Sequence, residues 1–383
     1  MNHTEQCWAL GMDAVYLAGR ALRGDAPIRV ESDSAALLKF CQFHSISAIV
    51  AMAMELPADP ELRGRWVQSR DQSIRKSLLF NAERQAILTQ LEALGCRYMP
   101  LKGSLLQFDY PKFGMRQMTD NDILVDPALR QQIHDLFLAR GYTAVAYLQS
   151  TKEDIYQKPP VYNFEMHMEL FSELDSKDMT RYFRNIWENA VKLPEGRFGY
   201  RQNDDHFYIY MLAHAYKHFT GGGIGIRNLL DIQVFLEKRG KNLDLGRVER
   251  ELRKLGVYEF EQLCRSLCEK LFAGDPRQAR LTELERRSLL CFFTSGTFGT
   301  EENAFRNRFH RLQKKEGRIT LWTKVRFVLR RLFPPMEALR RDYPDLDNAK
   351  WKIPFIILRR LLRCLFHPVK TFRELSRIHQ VKE

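Results

Sequence analysis

The chain has 383 residues and a mass of 45.1 kDa, with 45% apolar and 28% charged residues. At about 150 residues per domain this predicts two or three domains with a real core, and it excludes global disorder, collagen and a disulfide miniprotein. Residues 301–383 hold 21 of the 60 Lys and Arg but 9 of the 47 Asp and Glu, a net of +12 out of +13. The basicity therefore belongs to one C-terminal segment and points to a surface or partner function there.

The seven cysteines are odd in number and include no Cys-x-x-Cys. Cys264 and Cys268 stand four apart in a helical pattern, too little for a zinc site. All seven read as reduced thiols of a cytosolic protein. Met1 to Gly11 lacks a basic stretch and a long apolar run, so it is not expected to be a signal peptide. The apolar run Ile353 to Leu358 is cut off by Arg359 and Arg360, and no segment reaches the ~20 apolar residues of a membrane span.

In chain order, residues 1–95 read as helix throughout. Apolar residues recur at helical spacing over Ser34 to Met54 and over Leu78 to Leu94, and Gly95 closes the second run. Tyr98-Met99-Pro100-Leu101 predicts a buried strand, followed by Lys102-Gly103-Ser104 and a helical turn over Leu105 to Tyr110. Asp120 to Val125 reads as a strand. Pro127 opens a helix that runs to Arg140 and ends at Gly141. Tyr142 to Leu148 is a strand, and Val161 to Leu170 is another with strict alternation.

The fold expected is α+β: a small mixed-sheet core within a mostly helical protein. The expected domains are 1–75, an N-terminal helical region; 76–175, the core; 176–275, a helical domain with helices over His206 to Phe219 and Arg227 to Lys238; and 276–383, a basic region with amphipathic helices. No internal repeat or low-complexity tract is present.

Chemistry concentrates in the core. On a strand, Asp120 and Asp122 point to one face and Asn121, Ile123 and Val125 to the other. Paired carboxylates repel each other unless a cation sits between them, and magnesium takes one or two carboxylates plus phosphates. The Val161–Leu170 strand carries Glu165, His167 and Glu169 on one face and Phe164, Met166, Met168 and Leu170 on the other. If it lies beside the Asp strand, Glu165 completes a trio suited to in-line phosphoryl or nucleotidyl displacement. Gly103-Ser104, between strand and helix, can bring backbone N–H groups to a phosphate, and Lys102 and Arg116 can add charge to the same pocket. A lone Asp-x-Asp is equally a solvated strand end. The ordered set is what gives it weight.

These residues resemble the DNA polymerase β-like nucleotidyltransferase superfamily, marked by Gly-Ser after the first strand, an Asp-x-Asp strand and a third acidic residue later. More closely, the chain resembles the bacterial group called uncharacterised nucleotidyltransferases. The match is Leu101-Lys102-Gly103, Gly114-x-Arg116-x-x-x-Asp120-x-Asp122-Ile123-Leu124-Val125 and Glu165-x-His167. It continues through His214-x-x-x-His218, Arg227-x-x-x-Asp231, Phe333-Pro334-Pro335 and Arg341-x-Tyr343-Pro344. The resemblance implies a polymerase β-like palm, Mg²⁺ or Mn²⁺, and a nucleoside triphosphate substrate, with ATP the first expectation. It makes Asp120, Asp122 and Glu165 metal ligands and catalytic residues, and Gly103 and Ser104 triphosphate contacts. Asn121 stands where the family has an apolar residue, and Met168 stands where it often has Trp.

His214 and His218 share a helix face as a metal pair or as a partly buried surface. Gly221 to Gly225 is a helix-breaking loop or a loop closing over a nucleotide, and Arg227 and Asp231, four apart, can pair with each other. Two basic amphipathic helices, Leu321 to Phe333 and Ile357 to Phe366, pack on the protein, lie on an anionic membrane, or meet RNA or an acidic partner.

The expected activity is magnesium-dependent transfer of a nucleoside monophosphate to a small-molecule, peptide or protein acceptor. The expected place is the cytoplasm, with peripheral contact to the inner membrane face through the basic helices, and nucleic acid is not an expected partner. The alternatives are a manganese-dependent glycosyltransferase using Asp-x-Asp to hold a nucleotide-sugar, or an inactive palm that binds a membrane or a partner.

Overall fold

The computed structural model describes residues 3–173, 175–300, 303–304, 307, 333, 336, 339 and 350–366. The chain falls into two compact units, Met1–Phe305 and Arg306–Glu383.

The first unit is mostly helical around one five-stranded sheet. The N-terminal region forms four helices rather than one continuous helical stretch: α1 (His3–Arg23), α2 (Ser34–Phe43), α3 (Ser47–Ala51) and α4 (Pro60–Ala93). An extended loop after α1 pairs Ile28 with Met54, and Ser45, at φ 52, separates α2 from α3. Polar caps set the starts. The Asp33 carboxylate accepts from the Ala36 N–H, and the Asp59 carboxylate accepts from Leu62 ahead of Pro60 at the first helical position. Gly95, at φ +69, closes α4.

The sheet comprises β1 (Tyr98–Pro100), β2 (Asn121–Val125), β3 (Thr143–Ala146), β4 (Glu153–Lys158) and β5 (Tyr162–His167), with a short α5 (Gly103–Leu106) after β1 and α6 (Arg130–Ala139) after β2. Its order is β1-β2-β5-β4-β3, with β2 and β5 parallel and the other pairs antiparallel. One face packs Ile123, Val125, Tyr156, Phe164 and Met166 on Ile87, Leu88 and Leu91 of α4 and Ile133 and Phe137 of α6. On the other face Met99, Leu101 and Leu124 join the large helical core. Cover on both faces is why β2 is buried at every position.

β4 escapes sequence patterning because its residues are mainly polar. Its buried Asp154 is held by Arg130, whose Nε and Nη2 donate at 2.7 and 2.6 Å. The strand expected to run to Leu170 stops at His167, and Leu170 turns into the helical core instead of continuing the alternation.

After α7 (Lys177–Phe183) and a small hairpin, β6 (Ala190–Lys192) and β7 (Tyr200–Gln202), come the helices of the block. These are α8 (Asp204–Thr220), α9 (Ile226–Arg239), α10 (Leu245–Lys254), α11 (Tyr258–Phe272) and α12 (Glu283–Ser295), and α8 and α9 fall where helical spacing places them. The glycine run between α8 and α9 is pressed against Ser295–Thr300. The Thr300 N–H donates to Gly222 O at 2.8 Å, and a Cβ on Gly223 would stand 2.1 Å from Ser295 Oγ. These glycines serve close backbone approach within the fold.

In the second unit a helix spans Ile353–Phe366, with Ile356 packed on Leu339 and Phe355 and Leu358 exposed. The expected helix from Leu321 to Phe333, except Phe333 itself, and the Arg341–Pro344 motif lie outside the described residues. Among the described residues no helix is long and apolar enough to cross a membrane, and Cys7, Cys41, Cys96, Cys264, Cys268 and Cys291 are free thiols.

Candidate active site

The parallel pairing of β2 with β5 sets Asp122 directly opposite Glu165 and Leu124 opposite His167. Asp120 immediately precedes β2. The strand is anchored from its far face by Asn121, which is fully buried and accepts from Arg84 Nη1 of α4 at 2.9 Å. A polar residue between the two aspartates is therefore matched by a polar partner on the helix.

Two cationic groups bond Asp122, and one of them links on to two further carboxylates. Lys102 Nζ lies 2.7 Å from its Oδ1, and His167 Nε2 lies 2.8 Å from the same oxygen. His167 Nε2 is 3.7 Å from Glu165 Oε2, and its Nδ1 is 3.1 Å from Glu153 Oε2. Lys102 adopts φ 47 and ψ −123, a left-handed backbone that costs a non-glycine residue roughly 1–3 kcal/mol and is characteristic of functional sites.

Burial, then the Asp122 and Asp120 carboxylates, push Glu165 up to about 7. Burial and Asp122 also raise Asp120. Asp122 itself is held well below the usual carboxylate range, because Lys102 and His167 outweigh its burial. His167 is raised despite burial by Asp122 and Glu153.

Asp122, Glu165 and His167 offer one ligand atom each, all within 4.8 Å of one another. Asp122, held low by Lys102 and His167, and Glu165, raised by burial and then by Asp122 and Asp120, are hard oxygen donors of the kind that suits a divalent cation, with Asp120 beside them. While His167 carries its proton, it orients Asp122 rather than offering a lone pair.

The residues expected to hold phosphate separate. Lys102 is at the centre. Ser104 is buried, and its hydroxyl donates to Leu101 O, while the Ser104 and Leu105 N–H groups donate to Leu101 O and Lys102 O, both at 3.2 Å. Gly103 backs onto Arg116, whose Nη1 would lie 2.1 Å from an added Cβ. Arg116 is buried and bonds Asp231 of α9 through Nε and Nη2 at 2.8 and 2.9 Å. Asp231 thus pairs with Arg116 and not with Arg227, which donates to Gln117 O at 3.1 Å and lies with Lys76 in the field of Asp120.

Sequence reasoning missed Glu153, because β4 was not foreseen, and the cation Lys76, which carries no motif. His167 was visible only as a neighbour of Glu165 on an alternating strand. His214 and His218 bring their Nε2 atoms to 3.3 Å, and among the described residues they have no third ligand of the metal-binding kind.

Residues 31–273 match the model of a family described as uncharacterised nucleotidyltransferase. No curated protein and no solved structure matches the chain.

Proposed function

The chain belongs to the uncharacterised nucleotidyltransferase family, and from that premise we propose that it moves a nucleoside monophosphate from a nucleoside triphosphate to an acceptor nucleophile at the Asp120–Asp122–Glu165 centre. The observation that carries this reading is the β2–β5 register, which puts Asp122 opposite Glu165. Asp120, Asp122 and Glu165 would hold Mg²⁺ or Mn²⁺, which when bound supplies charge neutralisation at the transferring phosphoryl group.

The chain's own residues do the rest. Lys102 faces the phosphates while its backbone and its Asp122 contact fix its position. His167, braced by Glu153, holds the Asp122 carboxylate in one orientation. An acceptor oxygen or nitrogen bonds to the α-phosphorus as the bond to the bridging oxygen of the β-phosphate breaks. Pyrophosphate leaves, and the acceptor proton passes to a Glu165 carboxylate oxygen. The basic helix Ile353–Phe366 offers peripheral contact to an anionic membrane.

The test is incubation of the full chain with α-labelled or γ-labelled ATP, magnesium and cell extract. Transfer of the α-label alone, absent in Asp120→Ala/Asp122→Ala, is the expected result. Transfer of the γ-label, or full α-transfer by the double variant, overturns the reading.

A further inference from the structure

On the carboxylate face of the sheet, one residue pair beyond Asp122 and Glu165, lies a cavity that the carboxylate centre leaves unused. Asp122 and Leu124 are two apart on β2, so their side chains take the same face. A cavity of about 300 Å³ lies over Leu124 and is walled by Met168, Phe171, Phe183, Ile186 and Trp187. That volume is at the lower end for small-molecule sites, roughly 300–1,000 Å³. The Lys102–Ser104 segment lies the other way, towards the start of β2, because Pro100 faces Ile123 and the Leu101 N–H donates to Asp122 O at 3.0 Å. Phosphates held at Lys102 and a molecule held in the cavity can therefore reach Asp122 from two sides.

The walls are apolar and fixed. Leu124, Phe171, Phe183 and Ile186 are buried. Phe171 and Phe183 stack with ring centres 5.1 Å apart. Trp187 meets Tyr200 edge-on at 5.7 Å and carries the Arg97 guanidinium 5.1 Å over its ring. Such a hollow suits an apolar or flat group. Its remaining lining is charged and of both signs: Glu169, Glu173 and Arg184. Glu169 is tethered, accepting from Thr151 Oγ1 at 2.8 Å. Glu173 and Arg184 are exposed at the mouth, and among the described residues neither forms an ion pair. Opposite charges that share a cavity mouth without closing on each other leave both signs open to a ligand.

We infer that this cavity binds a small zwitterion with an apolar body, the chemistry of a free apolar amino acid. Its side chain fills the hollow over Leu124, its ammonium group meets Glu173, and its carboxylate meets Arg184. In the proposed reaction, on which this role rests, the bound molecule is the acceptor. Its nucleophilic oxygen or nitrogen joins the α-phosphorus as pyrophosphate leaves.

The test is calorimetric titration of the full chain, without nucleotide or metal, with L-phenylalanine and with L-leucine. Wild type is expected to bind at least one of them saturably. Phenethylamine, phenylpropionate and glycine, which lack the carboxylate, the amine and the apolar body in turn, each bind more weakly by about tenfold or more. Glu173→Ala and Arg184→Ala change exposed positions, leave the core intact and weaken amino-acid binding by a similar factor. No saturable binding of either amino acid, affinity unchanged by both substitutions, or phenethylamine bound as tightly as phenylalanine overturns the inference. Displacement of the amino acid by adenosine also overturns it, by giving the cavity to the nucleoside. Asp122→Ala separates the two readings: it abolishes transfer if the proposed function holds, and it leaves amino-acid binding intact if the cavity is the site.

Discussion

Two buried charge clusters lie close together in the first unit, and they are built on opposite terms. In one, Arg116 and Asp231, each side chain 8% exposed, close on each other through two hydrogen bonds, and the Tyr110 hydroxyl donates to the same carboxylate at 2.8 Å. Its charges balance, and it ties the loop ahead of β2 to α9. In the other, Asp120, Asp122 and Glu165 face Lys102 and His167, and Glu165 is still pushed up to about 7. A pair that balances itself serves the fold. A set that stays out of balance is suited to a ligand that brings the missing charge.

The largest effect is expected from breaking the balanced cluster. Asp231→Ala leaves a buried guanidinium without its carboxylate and should cost about 3–5 kcal/mol in urea denaturation. A loss below about 1 kcal/mol would show that this pair does not hold the fold.

The unbalanced cluster should respond in the opposite sense. Without metal, Glu165 in the folded protein keeps its proton up to about 7, whereas the unfolded chain releases it near the ordinary value of 4.5. The folded state therefore binds more protons between those pH values. The stability from neutral Glu165 is fully present below the lower value and is lost as pH rises through the upper one. Glu165→Gln keeps the neutral form and should raise metal-free stability at pH 8 by about 1–3 kcal/mol, with little change at pH 4. Destabilisation at pH 8 would contradict the assigned repulsion. The smallest effect belongs to the surface: Arg287→Ala, which removes an exposed pair with Glu283, should stay within about 0.5 kcal/mol.

Part of this contrast was legible in the sequence. Asp120, Asp122 and Glu165 could be placed because period-two alternation reports which face a strand residue takes, and the parallel β2–β5 pairing then brought Asp122 and Glu165 together. β4 could not be read, because its one buried carboxylate, Asp154, is neutralised by an arginine on another element. Arg116 and Ser104 show a different limit. Residue type and position suggested phosphate contacts, but whether a guanidinium meets a ligand or Asp231, and whether a hydroxyl faces a pocket or Leu101 O, is decided by tertiary packing. The break of the expected N-terminal helix at Ser45 follows local backbone geometry that apolar spacing does not encode.

The central claim is that the β2–β5 register builds a centre for a divalent cation. Titration of the full chain with Mn²⁺, followed by electron paramagnetic resonance, tests it most directly. Saturable binding in wild type, weakened by about tenfold or more in Asp122→Ala and tightened by a non-hydrolysable triphosphate, is the predicted result. Equal Mn²⁺ affinity in wild type and Asp122→Ala would contradict it.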